Sequence, residues 1–223
     1  TSLILDFQVI KIPSEILQLS KLVSLNLALN PLKLHKPGLR SIAEKLTNLE
    51  ELVLSEVDIS STVPSILANL SSLTTIFLRD CGLHGEFPTG IFQLPNLKSL
   101  NVRFNPKLTG RVPEFNRSSP LEDLRLAGAS FSGKLPDSIG NLKSLYYLDV
   151  ESCNFSGPIP SSFANLKKLT YLDLSENFFS RGTLSWVGKQ TKLTMLLLGN
   201  ISSYGGIPFS IGNLTKLTTL SLG

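Results

Sequence analysis

The sequence predicts an α/β repeat fold: a right-handed solenoid with parallel strands on its concave face and turns or short helices on its convex face. Three observations lead to this prediction. They are an internal period of 24 residues, an alternation of aliphatic and other residues within each period, and a G-x-I-P-like block at a fixed distance after it. Because one unit of this length cannot bury its leucines alone, successive units must stack and share a continuous core.

Each unit, called a coil below, begins with the pattern L-x-x-L-x-L, and Leu, Ile or Val fills all 27 aliphatic positions of nine coils. The spacing is 24 residues except for one coil of 27. We therefore expect one solenoid over residues 1–223. It divides into a partial repeat 1–21, repeats that start at 22, 49, 73, 97, 121, 145, 169 and 193, and a partial repeat 217–223.

Within each coil the x-L-x-L-x segment alternates with period two, which predicts a short strand with leucines inward and the intervening residues on the concave face. The following block, for example Gly133 to Pro136, predicts a turn that leads into an irregular outer segment. An apolar pair such as Ile139 and Leu142 then predicts a short helical turn. Two segments depart from the pattern, 30–46 and 181–186, and we expect the outer edge to bulge at both.

The two cysteines, Cys81 and Cys153, occupy the same position three coils apart. At about 4.8 Å per coil they lie roughly 14 Å apart, too far for a disulfide. We expect both to be free, buried replacements of the asparagine that stands in this position elsewhere, as at Asn105. His35 and His84 do not converge with them, so no metal site and no cofactor is predicted.

Composition excludes several classes of protein. The 223 residues are 42% hydrophobic and 17% charged, which is incompatible with a disordered chain. The net charge of +4 is spread along the sequence rather than clustered, so nucleic acid is not an expected partner. No stretch of about 20 apolar residues is present. Contact with a membrane is expected only through segments outside this chain.

Two clusters on the concave face are the candidate binding residues. The first is basic and aromatic: Phe77, Arg79, Lys98, Arg103, Phe104 and Arg125. The second is aromatic and acidic: Tyr146, Tyr147, Asp149, Glu151, Tyr171, Asp173 and Glu176. Stacked arginines without intervening carboxylates favour an anionic ligand, whereas pairing with Asp123 or Glu122 would make them solvated salt bridges. The sequence leaves both interpretations open.

The phrases GKLPDSIGNLKSL (133–145), FSGPIPSSFANLKKL (155–169) and YLDLSENFFS (171–180) carry a family resemblance. They resemble the plant class of leucine-rich repeats in the extracellular domains of receptor-like proteins and receptor-like kinases. The resemblance implies a secreted glycoprotein domain on the extracellular face of the plasma membrane, held by a single membrane span elsewhere. The paired-cysteine caps usual in that family are absent from the sequence, so we interpret the chain as an internal fragment.

Five N-x-S/T sequons agree with a secretory environment and are candidate N-glycosylation sites: Asn69, Asn116, Asn154, Asn200 and Asn213. Those at Asn69 and Asn213 share a position that asparagine also occupies at Asn141 and Asn165, so a structural role competes with glycosylation there.

The resemblance implies a receptor segment that binds a protein, a peptide or a cell-wall oligosaccharide in immunity or development, and that signals through a partner receptor kinase. The alternative is a secreted inhibitor of microbial wall-degrading enzymes, which would use the same face. An enzyme is not expected. Asp149 and Glu151 lie on one face as a carboxylate pair would, but a shallow sheet provides no deep pocket, and no nucleophile or phosphate-binding motif occurs.

Overall fold

The computed structural model describes residues 10–30, 32–116, 119–180, 184–200 and 208–223. Over these residues the chain is the predicted solenoid, whose largest element is a parallel sheet of nine strands on the concave face. The strands follow one another in chain order, each beside its sequence neighbour. They are Ser24–Asn26, Glu51–Val53, Thr75–Phe77, Ser99–Asn101, Asp123–Arg125, Tyr147–Asp149, Tyr171–Asp173, Met195–Leu197 and Thr219–Ser221.

The register of this sheet places equivalent aliphatic residues side by side. Leu148 pairs with Leu124 on one side and with Leu172 on the other, and all three side chains are completely buried. The predicted in-register stacking is therefore confirmed. Burial of one such side chain contributes about 1.5 to 3 kcal/mol, so the repeated leucine column is the main source of stability.

The segments that follow five of the nine concave strands form a second parallel sheet, which corrects the prediction of an irregular outer segment there. Its five strands are His84–Glu86, Lys107–Gly110, Ser130–Gly133, Asn154–Gly157 and Phe178–Phe179. The glycine that suggested a turn lies inside or at the end of a strand and has positive φ at Gly85, Gly133 and Gly157. Neighbouring coils bring these short segments together, and their backbone groups then satisfy one another.

The convex side consists of short 3₁₀ helices, as the apolar pairs predicted. They are Ser14–Gln18, Ser65–Asn69, Thr89–Gln93, Asp137–Asn141, Ser161–Asn165, Val187–Lys189 and Phe209–Asn213. In all but Val187–Lys189 a proline immediately precedes the helix, where its fixed φ suits the first turn.

No helix among the described residues is both long and apolar enough to cross a bilayer.

The 27-residue coil differs from the others by containing an α-helix, Leu39–Lys45, which buries Leu39, Ile42 and Ala43. Its strand Leu32–Lys33 pairs with Ile10–Lys11 in a separate two-stranded sheet. The additional residues of this coil are thus accommodated by a wider helix on the convex side. The second predicted bulge, at 181–186, includes residues 181–183, which lie outside the described residues.

One row of residues, called the left-handed row below, turns the chain away from the concave sheet in every described coil. Its members all have φ between +49° and +68°, a region that L-residues other than Gly and Asn seldom adopt. They are Leu29, Glu56, Asp80, Phe104, Gly128, Ser152, Glu176 and Asn200. In six of these coils the residue that follows is buried and points inward, whereas Asn30 is exposed. The six are Val57, Cys81, Asn105, Ala129, Cys153 and Asn177.

Asparagine in that inward position links neighbouring coils. The Asn105 amide donates to the carbonyl oxygens of Leu78 and Val102, each at 2.9 Å. Its side-chain oxygen accepts from the backbone N–H groups of Cys81 at 3.1 Å and Leu83 at 2.9 Å. One completely buried side chain therefore satisfies four backbone groups that would otherwise be orphaned.

The cysteines replace this asparagine only in part. The Cys81 thiol donates to the carbonyl of Leu54 at 3.1 Å, and the Cys153 thiol donates to that of Leu126 at 3.4 Å. Both are free and buried, as predicted. Burial raises the pKa of each thiol to about 12, so both stay protonated and unreactive near neutral pH.

Candidate ligand-binding face

The sheet register brings the predicted surface residues into continuous columns. The central column, in which each residue pairs with the next, is Asn26, Val53, Phe77, Asn101, Arg125, Asp149, Asp173, Leu197 and Ser221. A neighbouring column holds Arg79, Arg103 and Glu151. Most residues of both predicted clusters therefore lie on one surface.

The basic and aromatic cluster is centred on Phe104. The guanidinium of Arg79 lies 5.1 Å from the centre of the Phe104 ring, and that of Arg103 lies 4.9 Å from it. Arg79 also donates to Glu56 at 2.5 Å. Phe104 is 40% exposed although two cations lie against it, so its ring remains available to a partner.

The second arginine of this cluster reaches across a coil. Arg103 Nε lies 3.3 Å from Asp149 Oδ2, two coils further on, and the intervening coil has only Ala127 and Gly128 in the corresponding positions. A Cβ on Gly128 would stand 2.9 Å from Phe104 Cδ1. These two small residues therefore leave the space in which Arg103 and Phe104 lie.

The third arginine begins a stack of planar groups. Arg125 donates through Nε and Nη2 to both carboxylate oxygens of Asp123, at 2.8 and 2.7 Å. Its guanidinium lies 4.1 Å from the centre of the Tyr147 ring. Tyr147 stacks on Tyr171 with ring centres 4.0 Å apart and planes 5° from parallel. The stack holds both tyrosines rigidly at the surface.

These contacts bear on the two interpretations of the arginines. Each of Arg79, Arg103 and Arg125 has a carboxylate of this chain as its partner, which favours salt bridges over an anionic ligand. Asp123 does pair with Arg125, but Arg103 pairs with the distant Asp149. The three arginines act mainly as rigid supports for aromatic rings.

Three predicted residues lie away from the two clusters. Phe77 is half-buried in the central column, between Val53 and Asn101. Lys98 and Tyr146 are exposed and precede their strands, whereas Arg103 and Glu151 follow theirs. At about 3.3 Å per residue this separation is roughly 16 Å, so Lys98 and Tyr146 form an edge of the face rather than its centre.

The aspartates of the acidic cluster are buried rather than exposed, and each accepts a hydrogen bond from the backbone two residues further along the chain. Asp149 Oδ1 accepts from the Glu151 N–H at 3.2 Å, and Asp173 Oδ1 accepts from the Ser175 N–H at 3.0 Å. Asn101 makes the same contact to Arg103. This Asx arrangement is a structural role that the concave column alone did not reveal, although the recurrence of Asp and Asn there was its signal.

Three carboxylates approach closely at this point. Asp149, Glu151 and Asp173 each contribute an oxygen, and these oxygens lie within 4.8 Å of one another. Burial raises the pKa of Asp149 to about 6 although Arg103 opposes the change. Burial, followed by the charge of Asp173, also raises the pKa of Glu151. Glu176, further out, accepts from the Asn200 amide at 2.6 Å.

The five sequon asparagines are all exposed: Asn69, Asn116, Asn154, Asn200 and Asn213. Their positions differ. Asn69 and Asn213 end convex helices, Asn154 begins a strand of the second sheet, and Asn200 belongs to the left-handed row. The structural use of this convex position is visible at Asn141, whose amide donates to the Phe115 carbonyl at 3.0 Å.

Comparison with known proteins agrees with this architecture. The family described as Leucine Rich Repeat matches residues 120–142, 144–166 and 168–189. Over these residues the chain is similar to that family, and its fold is that of a leucine-rich-repeat solenoid. The prediction that it is not an enzyme agrees with the relatives described next, which are receptor-like proteins.

The repeats are similar to those of plant receptor-like proteins, as the sequence resemblance predicted. Receptor-like protein 6 of Arabidopsis thaliana is 39% identical over 144 residues, which cover 61% of this chain and 14% of that protein. Receptor-like protein Cf-9 of Solanum pimpinellifolium is 41% identical over 138 residues, which cover 60% of this chain and 16% of that protein. The chain thus spans about one seventh of the length of these relatives.

A solved structure extends the likeness to nearly the whole chain. It is the Arabidopsis receptor kinase HAESA in complex with the peptide hormone IDA and the co-receptor SERK1. The two chains are 31% identical, with a TM-score of 0.86 over 96% of this chain and 35% of that one.

Proposed function

We propose that the chain is a ligand-binding segment of a plant cell-surface receptor, placed on the extracellular side of the plasma membrane. The observation that carries this proposal is the pair of rigid aromatic platforms on the concave face, Phe104 between two arginines and Tyr147 stacked on Tyr171. Aromatic side chains already held in place contribute to binding without a large loss of side-chain entropy.

The ligand that fits this face best is a peptide or a protein segment. An acidic wall oligosaccharide is less well matched, because the arginines that would bind it are paired with Glu56, Asp149 and Asp123. The relatives support a receptor role, and a role in immunity or development is part of the proposal. The HAESA complex, which contains a peptide hormone and a co-receptor, supports signalling through a partner kinase.

The test is a selection of random peptides displayed on phage against the full 223-residue chain. Selected peptides should bind the wild type and a Phe209→Ala control, whose substituted side chain is fully exposed on the convex side. They should bind at least about tenfold more weakly to a Phe104→Ala/Tyr171→Ala variant. Peptides that bind the wild type and the double variant equally well would overturn the proposal, provided that urea unfolding shows the variant to be folded.

Glycosylation is the second part of the proposal. We expect glycan on at least three of the five exposed asparagines Asn69, Asn116, Asn154, Asn200 and Asn213. A glycan on Asn200 would displace its bond to Glu176 and cover that end of the left-handed row. Peptide mass mapping of plant-expressed protein, before and after enzymatic deglycosylation, gives the occupancy. Unmodified asparagine at all five would remove this support for secretion.

A further inference from the structure

The concave face leaves negative charge without an ionic partner. Among the described residues, its three arginines are paired one to one with carboxylates. In the part of the chain that the structure describes, Glu151, Asp173 and Glu176 have no cation within ion-pair distance, and they follow one another over two adjacent coils. A partner that binds here must therefore bring positive charge or leave these carboxylates desolvated and unpaired.

A buried acceptor lies in the same place. The Asp149 side chain has no exposed surface, and only its Oδ1 accepts a hydrogen bond, from the Glu151 N–H. Its Oδ2 accepts none, because Arg103 Nε is near at 3.3 Å but not aligned for a hydrogen bond. A fully buried carboxylate oxygen without a donor is unusual. Asp149 is also one of the three residues whose carboxylate oxygens converge within 4.8 Å.

An aromatic platform borders these carboxylates. Tyr171 and Asp173 are two residues apart on one strand, so both side chains are on the concave face. Arg125 covers the outer face of Tyr147, and Tyr147 covers one face of Tyr171. Burial, the carboxylate of Asp149 and the hydroxyl of Tyr147 raise the pKa of Tyr171, so its ring remains neutral. Carboxylates beside an aromatic ring favour organic cations.

We propose that Asp149, Glu151, Tyr171, Asp173 and Glu176 form a site for an arginine or lysine side chain of a peptide ligand. The inference rests on the proposed function and specifies its ligand: the peptide crosses the coils that start at 145 and 169 with a basic residue directed into the sheet. A guanidinium offers five donors in one plane, so it can donate to Glu151 while its charge lies beside Asp149, whose Oδ2 accepts no hydrogen bond.

A metal ion fits the same group less well. Calcium takes six to eight oxygen ligands, whereas three protein oxygens converge here. Arg103 also places a positive charge 3.3 Å from Oδ2 of Asp149, which belongs to the same group. An ammonium or guanidinium needs fewer acceptors and benefits from the adjacent ring, which a small, strongly hydrated ion does not.

The test uses the peptides from the selection against the full chain, resynthesised with blocked termini and a fluorescent label. Binding is measured by anisotropy for the original peptide and for a copy with citrulline in place of arginine, or norleucine in place of lysine. We expect the neutral copy to bind about tenfold more weakly. A Glu151→Gln/Glu176→Gln variant should lose a similar factor. A Glu86→Gln/Asp137→Asn control, with the same change of charge on exposed residues elsewhere, should not.

The outcomes separate the two proposals. Peptides that need Phe104 and Tyr171 but bind equally well after neutralisation would overturn the basic-residue site and leave the receptor proposal standing. Peptides that need neither aromatic residue would overturn both. Calorimetric titration with calcium chloride alone is the third arm: saturable binding that is lost in Glu151→Gln/Glu176→Gln would replace the proposed site with a metal site.

Discussion

At the scale of single residues, the binding face depends on small side chains as much as on charged ones. Gly128 has φ of +68°, and the Phe104 ring occupies the space where its Cβ would lie. Ala127 beside it is completely buried. In the sequence, both residues interrupt a charged column. The structure shows why they are small, because Phe104 and Arg103 lie in the space beside them.

Substitution of Gly128 by alanine should therefore act on stability and on the site together. The left-handed backbone and the 2.9 Å approach to Phe104 both oppose a side chain, and we expect a loss of about 1 to 2 kcal/mol in the free energy of unfolding. Gly212→Ala is the matched control, because its Cβ would meet nothing within 4 Å. Urea unfolding measures both variants. Equal midpoints for the two would contradict this account of Phe104.

The buried Asp149 should make stability fall as pH rises. Its pKa is raised from 3.8 to about 6 in the folded chain, so between these values the folded state binds more protons than the unfolded state. The raised pKa corresponds to a loss of about 3 kcal/mol on going from about pH 4 to pH 7. In Asp149→Asn this contribution is absent. Urea unfolding over that pH range should show that the free energy of unfolding of the variant rises relative to that of the wild type as pH increases. Parallel pH profiles for the two proteins would contradict the assignment of this dependence to Asp149.

At the scale of elements, the inward residues that follow the left-handed row contribute to the stability of the contacts between neighbouring coils. Asn105 satisfies four backbone groups, whereas the thiol of Cys153 donates one hydrogen bond, to Leu126. Since an unsatisfied buried group costs about 1 to 3 kcal/mol, the two positions should respond very differently to truncation.

We expect Asn105→Ala to lower the free energy of unfolding by about 3 kcal/mol or more, and Cys153→Ala by about 1 to 2 kcal/mol. Cys153→Ser keeps a donor of similar size and should fall between the wild type and the alanine variant. Chemical denaturation of the three variants gives the order. A Cys153→Ala loss as large as that of Asn105→Ala would show that the thiol is a full substitute for the amide.

The elements also show where prediction from sequence stops. The nine concave strands, their register and the buried leucines follow from the 24-residue period, because period-two alternation fixes which side chains turn inward. The second sheet does not follow, since segments such as Phe178–Phe179 acquire strand geometry only by pairing with a neighbouring coil. Likewise, no local pattern pairs Arg103 with Asp149, whose contact spans two coils.

At the scale of the whole molecule, each coil contacts mainly its neighbours, so position along the stack decides what a substitution does. Leu148 and Leu220 occupy the same place in their coils, yet Leu148 is completely buried and Leu220 is 44% exposed in the last described coil.

Leu148→Ala should accordingly lower the free energy of unfolding by about 3 to 5 kcal/mol, and Leu220→Ala by about 1 kcal/mol or less. Both are measured by urea unfolding followed by circular dichroism. Equal losses of stability in the two variants would show that the cost of a substitution does not depend on the position of its coil. That result would contradict the nearest-neighbour description of solenoids.

The left-handed row limits which new binding faces this scaffold can acquire. None of its eight residues is valine, isoleucine or threonine, and branching at Cβ is poorly compatible with such backbone angles. A combinatorial library built on this chain should omit those three amino acids at the eight row positions, while the strand columns beside them accept every side chain that a sheet tolerates. The strand columns can therefore be varied more widely than the left-handed row when new binding faces are engineered.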